Sequence, residues 1–343
     1  MQRTVFRSWT TATVALIGAG AIAAGPVATP LASAVAVDIL LAAQDITIDL
    51  IRHAESEDNA GHVLGTLPPG APITAIGAQE AAYLADPANP QHLADPDFYA
   101  GIYASEFLRT QQTAADWLTA AGAPETPVTI LGGLNEINAG WFEGGDLSNL
   151  LVQVGYAFAP LMWTMGSFWV PMLGSTIDPN GVAFNDRVTD ALQAIYDDTI
   201  SDPESSGSNV AFAHAGTIAI WTLMNVQNPD FGLVLDELLD TRSPLVNTGQ
   251  VVIDGNPTDG WTLVSWNGIE VDATPDLFTG LFVDWRDFTT AGQIATWHII
   301  EAFQGGDQAE ILAALQTGFD QVVNAFIAFP QDVFDTLTGA LGG

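Results

Sequence analysis

Short apolar runs alternating with stretches of helical spacing set the narrowest limit on how this chain can fold. Residues 46–51 (ITIDLI), 101–104 (GIYA), 128–131 (VTIL) and 209–212 (NVAF) are brief and apolar, as strands buried on both faces of a parallel sheet are. Between them, 77–85, 109–121 and 187–200 carry apolar residues at helical intervals. This alternation predicts an α/β protein with a mostly parallel central sheet. Two runs lead into histidine, the first into Arg52-His53 and the last into Ala213-His214. Chemistry in open α/β sheets gathers at the carboxyl ends of strands, so these turns mark the expected site.

The chain has 343 residues and is 48% apolar, enough to bury a substantial core. Its charge is unusual: seven arginines, no lysine and 40 acidic residues give a net charge of −33. That excess of acid excludes nucleic acid as a partner and opposes adsorption to anionic membranes, while apolar contact with lipid stays open. Cysteine is absent, which excludes disulfides, zinc–thiolate sites and a cysteine nucleophile.

Residues 1–34 read as an export signal, with Arg3 and Arg7 before an apolar, small-residue stretch and Ala32-Ser33-Ala34 as the cleavage site. The expected location is therefore outside the cell or in its envelope. An uncleaved membrane anchor is the alternative, opposed by the many Gly and Ala and by Pro26 and Pro30. Two other stretches break the α/β rhythm. Residues 147–177 carry no charge but contain Pro160, Pro171 and several glycines, which argues against a membrane span. They read as an apolar cap beside the sheet, or as a surface for a lipid-like substrate or a partner. After residue 271 the chain reads as a helical extension. There Leu312, Leu315, Phe319, Val322, Phe326 and Phe329 form an amphipathic stripe expected to pack on the domain; membrane association is the alternative, opposed by polar positions that are acidic or neutral rather than basic.

Past the signal only Arg52, Arg109, Arg187, Arg242 and Arg286 remain as cations. A neutral imidazole such as His53 is a competent phosphoryl acceptor, and the adjacent Arg52 could hold the oxygens of the transferring group. Arg109 stands at the start of a helix, where unpaired N–H groups already favour anions. Glu136 and Glu143 lie in a glycine-rich loop, and either carboxylate could protonate a leaving oxygen and later activate water. Small residues around His214, Ala215 among them, permit close approach of a ligand. His62, Arg187 and Arg242 are weaker candidates for the pocket, and no cluster suited to a metal is visible.

Four motifs in order carry a resemblance: Arg52-His53-x-x-Ser56-x-x-Asn59, Ser105-x-x-x-Arg109-Thr110-x-x-Thr113-Ala114, Leu134-x-Glu136-x-x-x-Gly140-x-x-x-Gly144, and His214-Ala215-Gly216. Together they resemble the histidine phosphatase (phosphoglycerate mutase-like) superfamily, in its branch without a His-Asp motif. The resemblance spans residues 45–270 and implies a three-layer αβα sandwich. The same likeness assigns His53 as the phosphorylated nucleophile, Glu136 as general acid and base, and Arg52, Arg109 and His214 as the phosphoryl grip. Asn59, Ser105 and Ala215 would line the substrate site, with no metal or cofactor. The implied activity is hydrolysis of a small phosphate monoester, and the apolar cap would admit a lipophilic one. A phosphoglycerate mutase-type transfer is one alternative; a non-catalytic binding protein using 147–177, with peripheral lipid contact, is another.

Overall fold

The structure, a computed structural model, describes residues 43–342. The export segment and its cleavage site lie outside the described residues. Seven strands form one sheet: β1 (Ile46–Arg52), β2 (Gly101–Ala104), β3 (Thr129–Ile130), β4 (Ser208–Ala213), β5 (Gln250–Asn256), β6 (Gly260–Trp266) and β7 (Ile269–Glu270). Their order is β3-β2-β4-β1-β5-β6-β7. The first four in that order run parallel, and β5, β6 and β7 extend the sheet antiparallel from β1. The parallel half is the one foreseen from the apolar runs.

The helices are α1 (Glu57–Ala60), α2 (Ala75–Tyr83), α3 (Leu108–Ala120), α4 (Leu150–Thr164), α5 (Gly181–Ser201), α6 (Ala215–Asn225), α7 (Phe231–Thr241), α8 (Leu277–Gly305) and α9 (Gln308–Gly342). Side chains alternate across a strand, so β4 sends Val210 and Phe212 to one core and Ala211 and Ala213 to the other. The first core packs Trp117 and Leu118 of α3 under the sheet; the second, larger one packs α5 and α6 above it. These are the three layers of the sandwich.

Residues 147–177 fold as α4 and a following loop. The inner side of this cap belongs to the larger core through Ala159, Trp163, Phe168 and Met172, with Trp163 stacked on Phe184 of α5. Pro160 lies inside the helix and is itself buried. The outer side is exposed along Leu151, Val154, Phe158, Leu161 and Met165.

The C-terminal stripe corrects one expectation. α8 does pack on the domain, where Arg286 donates to the carbonyls of Leu223 and Val226 at the end of α6. α9, however, packs on α8 with a different face, which includes Gly318 against Ala295 and Phe329 stacked on Phe288. Small residues in that seam let the helices approach closely. Leu312, Phe319 and Phe326 are instead 67%, 68% and 70% exposed. Of the expected row, Phe329 enters the seam, while Leu315 and Val322 are partly covered at 42% and 43% exposed.

Candidate active site

β2, β4 and β1 are neighbours in the sheet, and the residue after each strand is Ser105, His214 and His53 respectively. The register pairs Arg52 with Ala213, which brings the two histidines together across the strand ends. Their ring centroids lie 5.2 Å apart. Both rings are buried, His53 being 3% and His214 0% exposed.

Hydrogen bonds define which ring atoms carry protons. His53 Nδ1 lies 2.8 Å from the Ala54 carbonyl oxygen, which can only accept, so Nδ1 holds the proton and Nε2 a free lone pair. His214 Nδ1 faces Arg109 Nε at 3.3 Å and Nη2 at 3.1 Å; guanidinium only donates, so this nitrogen accepts. The His214 proton is then on Nε2, directed at Ser105 Oγ 2.9 Å away. Ser105 in turn meets Thr110 Oγ1 at 2.8 Å. Burial, followed by the Arg109 and Arg52 cations, holds the His53 pKa well below its usual value of 6.5. His214 is lowered for the same reasons, burial first and then Arg109. Both rings are neutral at pH 7.

Two guanidiniums border these rings. Arg109 opens α3, is buried beneath residues 65–70, donates to Gly65 O at 3.1 Å and rests over the Phe107 ring. Its Nη1 lies 3.5 Å from Asp58 but has no hydrogen-bond partner, so a buried donor is left over for a ligand. Arg52 donates from Nη1 to Leu245 O and Ser243 Oγ, while its buried Nε is also without a partner. Burial lowers the Arg52 pKa to about 10, against the pull of Glu136, so it stays charged at neutral pH.

Glu136 sits at the N-terminus of α6. Its Oε1 accepts from the N–H groups of Ile137 and Thr217 at 2.9 Å each and from Thr217 Oγ1 at 3.1 Å. Oε2 has only Gly216 N, at 3.4 Å, and is the freer oxygen. Gly216 leaves room for this carboxylate: a Cβ would lie 2.7 Å from Glu136 Oε1. The loop is fixed from three directions. Arg187 donates to Gly133 O and Asn135 O at 2.8 and 3.0 Å while paired with buried Asp178. Asp178 also receives Asn138 N at 2.8 Å, and Tyr156 of α4 donates to Ile137 O at 3.2 Å. Burial, then the charges of Glu136 and Asp178, raise the Tyr156 pKa well above its usual value, so its hydroxyl remains a donor.

The structure thus brings Arg52, His53, Arg109, Glu136 and His214 to one place. The three weaker candidates lie as follows. Arg187 is a clamp on the Glu136 loop and not a free cation, and Arg242 is exposed in a left-handed turn after α7. His62 is exposed as well. Of the residues read as lining the substrate site, Asn59 uses its Oδ1 to cap α1 at Ser56 N, leaving its amide NH₂ as a donor. Ser105 is fully buried and acts on His214, and Ala215 supplies the first N–H of α6. The second loop carboxylate, Glu143, receives Thr66 N at 2.9 Å and the Thr66 hydroxyl, and so anchors another loop. Asp58, Tyr156 and Thr217 were not singled out from sequence; Asp58 falls inside the first motif, and Tyr156 is the single tyrosine of the uncharged stretch. Among the described residues, no group of three or more His, Asp or Glu could hold a metal ion.

The family model of the histidine phosphatase superfamily (branch 1) matches residues 48–267, and the chain belongs to that superfamily. Among curated proteins, the PE-PGRS family protein PE_PGRS11 of Mycobacterium tuberculosis is 42% identical over 307 residues, 87% of this chain and 49% of that protein. The chain therefore spans about half the length of this relative. Solved structures that it resembles include a mycobacterial glucosyl-3-phosphoglycerate phosphatase, at 18% identity and a TM-score of 0.46, covering 65% of this chain and 99% of that one. A phosphoglycerate mutase from Bacillus anthracis is similar at 18% identity and a TM-score of 0.45, covering 66% and 94%.

Proposed function

We propose that this chain is an exported phosphatase that hydrolyses small phosphate monoesters through a phosphohistidine on His53. The observation that carries the reading is the free Nε2 lone pair of a neutral His53 set beside two buried guanidiniums with unpartnered N–H groups. In the first step Nε2 attacks phosphorus as the ester P–O bond breaks; a monoanionic ester brings in the proton, which Glu136 Oε2 relays to the departing alcohol oxygen. Arg52 and Arg109 offset charge on the phosphoryl oxygens. His214, whose Nδ1 accepts from Arg109 Nε and Nη2, holds that guanidinium in place beside them. In the second step Glu136, now a carboxylate, takes a proton from water as the water oxygen attacks phosphorus. The Nε2–P bond breaks, Glu136 passes its proton to the departing inorganic phosphate, and neutral His53 is restored.

Hydrolysis is favoured over a mutase reaction by the arginine placement. A mutase must retain a phosphorylated acid through both half-reactions, yet Arg187 and Arg286 are held in structural contacts and Arg242 is on the surface. Export rests on residues 1–34, whose Arg3, Arg7 and Ala32-Ser33-Ala34 have the pattern of a cleaved signal.

The test is mass spectrometry after brief exposure to a reactive aryl phosphate, quenched in alkali because phosphohistidine is acid-labile. A phosphoryl adduct on the His53 peptide, absent from His53→Ala, is expected. Undiminished turnover by His53→Ala would overturn the mechanism, and isomer formation from a phosphorylated sugar acid without phosphate release would favour the mutase.

A further inference from the structure

α8 and α9 form an antiparallel hairpin whose seam runs through Asp284, Phe288 and Ala295 on one helix and Gly318, Phe329 and Thr336 on the other. On each helix an exposed row follows the seam by one residue. On α8 it contains Trp285 and Thr296, with Phe278 and Phe303 in phase; on α9 it contains Phe319 and Leu337, with Leu312 and Phe326 in phase. One residue is a turn of about 100° about the helix axis. In two antiparallel helices, equal offsets from a shared seam point to the same side. Both rows therefore form one face, about 38 Å long from Phe278 to Phe303. Neither row contains a charged residue.

This face continues onto the cap. The Gly166 carbonyl at the end of α4 accepts from Gln293 of α8 at 2.7 Å, and Trp169 Nε1 donates to Gln293 O at 3.0 Å. A Cβ on Gly166 would lie 3.4 Å from the Trp285 ring. The exposed row of α4, which ends at Met165, thus runs up to Trp285 and the hairpin.

We propose that this continuous apolar face docks the protein on an electrically neutral lipid surface. Phe278 alone is 83% exposed and rows from three helices contribute, whereas the largest apolar patch on an ordinary monomer is roughly 300–600 Å². The occupant follows from charge and from width. The chain carries −33, and every charged side chain of α9 is acidic, which repels a second copy and anionic lipid but not a zwitterionic surface. On α9 the exposed apolar side chains extend beyond the row to Ile327 and Phe334, a wider arc than the two positions per heptad that one partner helix covers. A wide apolar arc with a polar face opposite is the form of a helix that lies in a membrane interface. Here it lacks the usual basic flank, so apolar contact alone supplies the attachment.

The test is flotation of the full chain with phosphatidylcholine vesicles, beside a Phe319→Asp/Phe326→Asp variant. Both positions are exposed, so the variant keeps the fold, checked by an unchanged circular dichroism spectrum and unchanged hydrolysis of a water-soluble aryl phosphate. The wild type is expected to float and the variant to lose about tenfold or more of its bound fraction. Failure of the wild type to float overturns the proposal, and a dimer by light scattering would then assign the face to a second copy. Equal flotation of both proteins also overturns it. Because flotation reads binding and not turnover, its outcome is separate from that of the phosphatase reading.

Discussion

Gly216→Ala separates stability from catalysis at a single atom. A methyl group there would sit 2.7 Å from Glu136 Oε1 and 3.3 Å from its Cδ, about 0.7 Å inside ordinary van der Waals contact at the closer atom. The obstruction is the end of a flexible side chain, so the carboxylate moves and the backbone does not. Its displacement breaks the bond from Thr217 N, one charge-assisted hydrogen bond worth about 1.5–3 kcal/mol at most. Against this, alanine is favoured over glycine within a helix by up to about 1 kcal/mol. The net change in stability is therefore small, roughly 0–2 kcal/mol. Catalysis responds differently, because a general acid displaced by nearly 1 Å loses on the order of 10²-fold. The assay is kcat across aryl and alkyl phosphates of graded leaving-group pKa, with urea unfolding in parallel. The loss in kcat is expected to be greatest for alkyl phosphates, whose leaving oxygen most needs the proton. Wild-type kcat on alkyl phosphates would refute the placement of Glu136 as the acid.

Arg187→Met should lower kcat through the loosened Glu136 loop and, by leaving buried Asp178 unpaired, cost about 3 kcal/mol in urea unfolding. An activity loss without a stability loss would contradict the clamp. Ser105→Ala removes the acceptor for the His214 Nε2 proton and should reduce kcat/KM about tenfold, or about 1.4 kcal/mol, with little change in secondary structure. For pH, His53 and His214 have lowered folded pKa values, so between those values and 6.5 the unfolded chain binds more protons than the folded one. Stability should therefore fall as pH drops below 6.5. His298, raised by its hydrogen bond to Asp186, contributes the opposite sign, stabilising below 6.5 and losing that effect as pH rises through its folded value. A urea midpoint that rises from pH 7 to pH 5.5 would mean that the buried pair does not dominate.

The strands and the histidine turns are legible in the sequence because they are local. A run such as 46–51 declares its burial by composition, and the residue after a parallel strand falls at the site by topology alone. Arg109 and Glu136 are recognisable from motif order. What could not be read depends on partners far along the chain. Arg187 looks like a spare cation until Asp178 and the carbonyls of Gly133 and Asn135 are seen around it. Glu143 looks like a second acid until Thr66 is found against it. The α9 stripe misleads for a related reason. Periodicity shows that a helix has an apolar face, but small residues such as Gly318 can make a closer seam, and the bulky row is left outside.

The arginine placement also governs how a substrate arrives. Among the described residues Arg242 is the one exposed arginine, and the guanidiniums proposed to hold the phosphoryl group lie inside a molecule of net charge −33. A phosphate dianion must diffuse inward against that field before Arg109 can attract it at short range. Association should then speed up as salt shortens the Debye length from about 30 Å at 0.01 M to about 10 Å at 0.1 M, the reverse of ordinary electrostatic steering. Such a molecule captures anions sparingly in dilute solution and more readily in brine.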